Sequence, residues 1–142
     1  MLARPAVLLR VEGAAMFACS LFLYHSLGQR WAVFFALCLW PDLFMLGYLA
    51  NARLGARLYN LVHMDAIPLT LGAVSLVLGR SAPMGFALIW LAHIGLDRML
   101  GYGLKYPTFF KDTHLQRVTE ARTVWSDVPI PDSRPLQSNV RI

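Results

Sequence analysis

His93 and Asp97 stand four residues apart, and Asn60 and His63 three apart. Glu12 and Asp42 lie upstream, and each of these groups interrupts a run of Leu, Phe, Ala, Val and Trp. On a helix, spacings of three and four put two side chains on one face. Imidazole together with carboxylate is ligand chemistry for Zn, Fe or Mn, so such pairs can converge on a divalent transition metal. The runs are long enough to cross a bilayer, where an ionisable group costs at least a few kcal/mol and therefore needs a reason.

The reading that follows makes His63, His93 and Asp97 metal ligands. Asp42 or Glu12 serves as a further ligand or general base, and Asn60 and Arg98 orient a substrate. His114, in Lys111-Asp112-Thr113-His114, lies just past the membrane surface, where it can cap the polar layer as ligand or base or simply be solvated. Arg10 and Asp65 diverge from their neighbours' faces and take supporting places. Three other readings use the same residues. Polar side chains also hold membrane helices together, with Asp42 pairing Arg98 and Glu12 pairing His63 or Arg57, and no ligand at all. His63 and His93 at similar depth suit a bis-His haem. Buried ionisable groups also line transport pathways.

The elements that must position these residues follow from composition. The chain has 142 residues, 57% hydrophobic and 15% charged, where a soluble domain carries about 25% charged residues. Four apolar segments near 5–27, 31–50, 54–79 and 83–103 have the length a spanning helix needs. Their connectors are very short, so neighbours must run antiparallel. The expected fold is all-α, an integral membrane four-helix up-down bundle over 1–111, with Pro41 and Pro68 kinking the second and third helices. Counted from the basic end of each helix, Glu12, Asp42, Asn60, His63, His93 and Asp97 fall in one layer, about 9–15 Å deep.

Arg4, Arg53, Arg57, Lys105, Lys111, Arg117 and Arg122 gather on one side, with Arg30 and Arg80 on the other. The positive-inside rule then puts both termini of a multi-pass membrane protein in the cytoplasm. The net charge of +5 sits at segment ends rather than on one stripe. That placement fits membrane lipids as partners and excludes nucleic acid; a homo-oligomer or a membrane-protein partner is compatible with it. The N-terminal run is broken by Arg10 and Glu12 and reads as a retained helix rather than a signal peptide. Cys19 and Cys38 have no CxxC spacing and read as free thiols. Gly101-Tyr102-Gly103 matches the potassium-filter tripeptide but follows Leu100 at a helix end, so it reads as helix termination. Ala14 and Ala18 form a small-xxx-small pair suited to close helix packing. A short cytoplasmic amphipathic helix is expected over 112–125, and a Pro-containing flexible tail over 126–142.

The runs LLRVEG (8–13), PDLFMLGYL (41–49), YNLVH (59–63), LIWLAHIGLDRMLGYGLKYP (88–107) and FKDTHL (110–115) resemble a bacterial membrane-protein family known as domain of unknown function 4260. The resemblance covers about residues 6–117 and implies a membrane fold without an activity. A looser similarity is to small bacterial inner-membrane metal-dependent hydrolases with His and Asp on their helices, although their His-Arg-x-x-Thr-His pattern is missing here. The leading expectation is a metal-dependent membrane enzyme, hydrolase-like, acting on a lipid or other amphiphile. Its competitor is a non-enzymatic accessory subunit.

Overall fold

The structure, a computed structural model, describes residues 5–105. Every regular element among them is helical: α1 (Pro5–Ser26), α2 (Trp31–Leu37), a 3-10 helix (Trp40–Leu49), α3 (Ala52–Val62), α4 (Ala66–Val77) and α5 (Ser81–Leu100). The second and third expected spans are therefore broken rather than kinked. Proline explains both breaks, because its ring collides with the carbonyl four residues back and it lacks a donor. Four residues before Pro41 is Leu37, where α2 ends. Four before Pro68 is Met64, between α3 and α4. Both prolines are fully buried.

Beyond Pro41 the chain winds as a 3-10 helix, in which every third residue eclipses. Leu43, Leu46 and Leu49 form one exposed row on it, and Asp42, Met45 and Tyr48 form a row that is half-buried. Asn51 caps α3 by accepting a hydrogen bond from the Leu54 N–H at 2.8 Å. At the end of α5, Gly101 takes a left-handed conformation (φ +94°). The Tyr102 N–H donates to Asp97 O at 2.8 Å and the Gly101 N–H to Arg98 O at 3.0 Å. Gly101-Tyr102-Gly103 thus closes a helix, as its position in the sequence implies.

The buried helix is α5, covered from Ala87 through Gly95. One side of it packs with Tyr24 and Phe34 around Leu88, Ile89 and Ala92. The other packs Trp90 and Ile94 with Val62. The approach of α1 to α5 is set by Gly13 and Gly95, one residue away from the Ala14/Ala18 register expected for it. A Cβ on Gly95 would stand 2.7 Å from the Phe17 nitrogen, and one on Gly13 2.7 Å from the Met99 nitrogen. Gly55 receives the Tyr48 ring in the same way, fixing α3 against the 3-10 helix. Without a hydrophobic drive between helices in lipid, such close backbone packing supplies much of the cohesion.

Large apolar side chains elsewhere, among them Phe22, Phe35, Leu76 and Val77, are exposed. Three segments are long and apolar enough to cross a membrane: Pro5–Ser26, Trp31–Leu49 and Ala52–Val77. The fourth expected span corresponds to α5, which is not among these three. His93, Asp97 and Arg98 lower its hydropathy, and its apolar residues face protein. Cys19 and Cys38 are free thiols. The expected helix over 112–125, the tail over 126–142 and His114 lie outside the described residues.

Two glycine substitutions should shift stability in opposite directions. Gly95→Ala drives a methyl into the α1 backbone and should cost about 1–3 kcal/mol. Gly72→Ala, whose Cβ would sit at an ordinary 3.7 Å from the Ala87 Cβ, should gain about 0.5–1 kcal/mol from helix propensity. Thermal unfolding in detergent reads both, and equal effects would contradict the packing described.

Candidate metal centre

The two breaks deliver two of the site's side chains. Asp42 follows Pro41 at the start of the 3-10 helix, on its half-buried row. His63 is the first residue past α3, with φ −101° and ψ 8°. Its backbone N–H and its ring Nδ1 both reach Tyr59 O at 2.9 Å. A carbonyl only accepts, so Nδ1 carries a proton and a neutral His63 presents a bare Nε2. The Tyr59 ring stacks on the imidazole at 3.7 Å and 15°. The break frees the Val62 carbonyl, and the Trp90 indole N–H fills it at 2.6 Å. His93 and Asp97 arrive one turn apart on α5.

These four side chains meet at one point. His63 Nε2 lies 3.2 Å from His93 Nε2, 3.6 Å from Asp42 Oδ1 and 3.4 Å from Asp97 Oδ2. His93 Nε2 lies 3.5 Å from Asp42 Oδ1 and 3.8 Å from Asp97 Oδ2. The four ligand atoms all fall within 4.8 Å of one another. Ligands bound tetrahedrally at about 2.0–2.2 Å stand roughly 3.3–3.6 Å apart; three edges of this figure fall in that range and two more, at 3.2 and 3.8 Å, lie within about 0.2 Å of it. The imidazoles form a dry floor, 4% and 2% exposed, while the carboxylates of Asp97 and Asp42 are 20% and 39% exposed and leave one side open. The Tyr59 hydroxyl donates to Asp97 Oδ2 at 3.1 Å, orienting that carboxylate.

Two carboxylates and a bare imidazole nitrogen facing one another repel unless something positive lies between them. Either a proton or a metal cation answers that need. In the protonic case His93 Nε2–H donates to His63 Nε2. In the metal case both Nε2 atoms bind, and His63 already has the Nδ1–H to carbonyl bond that orients ligating histidines. His93 Nδ1 is buried without a hydrogen-bond partner among the described residues.

The remaining sequence candidates fall elsewhere. Asn60 spends its amide on the backbone of Lys105, donating to its O at 2.9 Å and accepting from its N–H at 2.7 Å. Arg98 pairs with Asp65 at 3.1 Å rather than with Asp42. Glu12 is exposed on α1, and Arg10 lies against Gly101. The haem reading does not suit this spacing: Nε2 atoms on opposite faces of an iron stand about 4 Å apart, whereas these are 3.2 Å apart, with carboxylate oxygens of Asp42 and Asp97 3.4–3.8 Å from them. Tyr59 and Trp90 were not singled out from the sequence. Tyr59 was legible, since it stands four residues before His63 and so shares its face. The Lys105 ammonium lies 4.2 Å from the Tyr59 ring centroid. Burial holds its pKa below the usual lysine value. A cavity of about 10 Å³ beside Tyr59, His63 and Asp97 is of the order of one water.

Among known proteins, the family described as Domain of unknown function (DUF4260) matches residues 6–118. No curated protein matches the chain, and no solved structure does.

Trp90→Phe keeps the ring packing and removes only the indole donor. The stranded Val62 carbonyl should cost about 1–3 kcal/mol, read by thermal unfolding in detergent. Trp31→Phe, at an exposed ring, should cost distinctly less.

Proposed function

The chain belongs to that family, and from this premise we propose that it is a multi-pass protein of the bacterial inner membrane that holds one divalent transition metal between Asp42, His63, His93 and Asp97. Zn, Fe and Mn all suit this donor set. The observation that carries the proposal is the near-tetrahedral figure of four ligand atoms, five of whose edges span 3.2–3.8 Å. In this reading four spans run up-down-up-down with both termini cytoplasmic. The site then opens toward the cytoplasmic leaflet, near Pro41, Pro68, Leu104 and Lys105. Membrane lipids surround it, and a second copy or another membrane protein is compatible with the exposed apolar faces.

The chemistry proposed is hydrolysis of a lipid or other amphiphile. A metal held by these residues would supply Lewis-acid chemistry to a carbonyl or phosphoryl oxygen and lower the pKa of a water. His63 and His93 are the buried ligands and Asp97 the half-buried one. For hydrolysis the metal would be held by His63, His93 and Asp97 alone, and Asp42, the most exposed of the four, would take the water's proton as the water oxygen bonds to the ester centre. It returns that proton to the leaving alcohol as the ester bond breaks, so ester and water become acid and alcohol. A second reading is favoured by the 3.2 Å contact of His63 with His93. There the cluster is a protonated network that joins three spans in an accessory subunit, without metal.

Elemental analysis of the detergent-purified chain separates the two. The metal reading expects about one equivalent per chain, lost in His93→Ala/Asp97→Ala while the helices stay folded. Less than about 0.1 equivalent, with stability untouched by chelator, overturns it. Tyr59→Phe should weaken metal affinity about 10–100-fold, because it unties Asp97. Affinity should fall as pH falls, since each ligand must shed or lack a proton to bind. Hydrolysis of lipid esters in vesicles, abolished by chelator and restored by metal, tests the enzymatic half.

A further inference from the structure

On α3, Arg53 and Arg57 stand four residues apart and so share one face. With Ala56, Asn60 and Lys105 they line a cavity of about 270 Å³, open on one side. Among the described residues, no carboxylate lines it. Like charges at this spacing destabilise a helix unless something negative lies between them. Lys105 is held in place there. Asn60 bonds both its N–H and its carbonyl, at 2.7 and 2.9 Å, so a cation from outside α3 is fixed at the rim of the same hollow. Its ammonium spreads over the Tyr59 and Tyr48 rings, 4.2 and 5.3 Å from their centroids. Burial disfavours that charge, and the carboxylates of Asp42 and Asp97 offset part of the cost.

Depth narrows the ligand. Arg53 is the second residue of the apolar segment Ala52–Val77, so the cavity sits where that segment meets the head-group layer. It lies on the basic side of the chain, the side that faces anionic cytoplasmic lipid. Arginine binds phosphate oxygens in a planar fork, which makes a phosphate monoester or diester a better fit than a diffuse negative surface.

We propose that the hollow formed by Arg53, Arg57 and Lys105 is a binding site for a phosphate group at the level of the lipid head groups. On the hydrolase reading above, on which this extension rests, a phosphate-headed amphiphile becomes the substrate class. The pocket itself does not require the metal.

The test uses the full chain in neutral detergent, titrated by native mass spectrometry with phosphatidic acid, phosphatidylcholine and inorganic phosphate, once in chelator and once with zinc. Phosphatidic acid should bind at least about tenfold more tightly than phosphatidylcholine. Inorganic phosphate that displaces it at similar concentration would mark a soluble phosphate as the ligand. Failure to displace it would mark a lipid, and either result supports the site. Arg53→Gln/Arg57→Gln should weaken binding about tenfold or more, while Arg53→Lys/Arg57→Lys retains part of it and Arg30→Gln/Arg80→Gln leaves it unchanged. The arginines at 53 and 57 are exposed, so these variants should melt as the parent does. Equal binding of the two lipids overturns the proposal, and so does an unchanged Arg53→Gln/Arg57→Gln variant or an equal loss in Arg30→Gln/Arg80→Gln. Binding in chelator keeps this result separate from the metal reading: lost metal with retained phosphate binding removes the hydrolase extension and leaves the pocket.

Discussion

A helix broken inside hydrocarbon strands backbone carbonyls that lipid cannot satisfy. The chain accepts that cost twice, at Pro41 and before Pro68, and the rest of the structure is arranged around it. The break at His63 is repaired by side chains: the Trp90 indole takes the Val62 carbonyl, and His63 itself turns back to Tyr59 O through both its backbone N–H and Nδ1. The break at Pro41 is followed by a 3-10 segment whose exposed leucine row faces outward and whose inner row carries Asp42. An unbroken helix would send neither Asp42 nor His63 to the point they now share.

The other half of the site comes from an unbroken element. His93 and Asp97 ride on α5, and their depth and rotation are set by the contact of α5 with α1. Because Gly13 and Gly95 bring the two backbones together without intervening side chains, a slip of one residue would meet a Cβ. The contact with α1 fixes the rotation of α5 from that side, while Trp90 and Ile94 against Val62 place α5 relative to the end of α3, where His63 stands.

The sequence made some of this legible for definite reasons. His93 and Asp97 share a face at spacing four whatever the environment, and depth counting placed Asp42 and His63 in their layer. Depth does not fix angle, however. One residue turns a helix by about 100°, and on α1 it is Gly13 that faces α5, which leaves its neighbour Glu12 exposed. The same limit applies to Asn60. Its spacing to His63 was right, but a two-armed bond to the Lys105 backbone depends on where the chain goes after α5 ends, and no periodicity carries that. The prolines were visible, yet membrane helices often absorb one proline with a kink. That the helix stops at His63 depends on Trp90 and Tyr59 being there to receive its loose ends, which is a tertiary fact.

The polar contacts elsewhere in the described residues show what ordinary helix glue looks like in this molecule. Arg98 meets Asp65 as opposite charges, Asn60 meets the Lys105 backbone donor to acceptor, and the Tyr24 hydroxyl meets Arg30 O. Each is a matched pair, complete with two partners. The cluster of Asp42, His63, His93 and Asp97 is built differently. It draws on three segments of the chain, brings two carboxylates and the bare Nε2 of His63 together with His93 Nε2, and spends a tyrosine hydroxyl and a backbone carbonyl on orienting its members. Matched pairs would have joined the same helices at lower cost, because a buried like-charge contact must be neutralised before it stabilises anything. An acceptor-rich centre, costly when empty and favourable when filled by a cation, is what the proposed metal site requires.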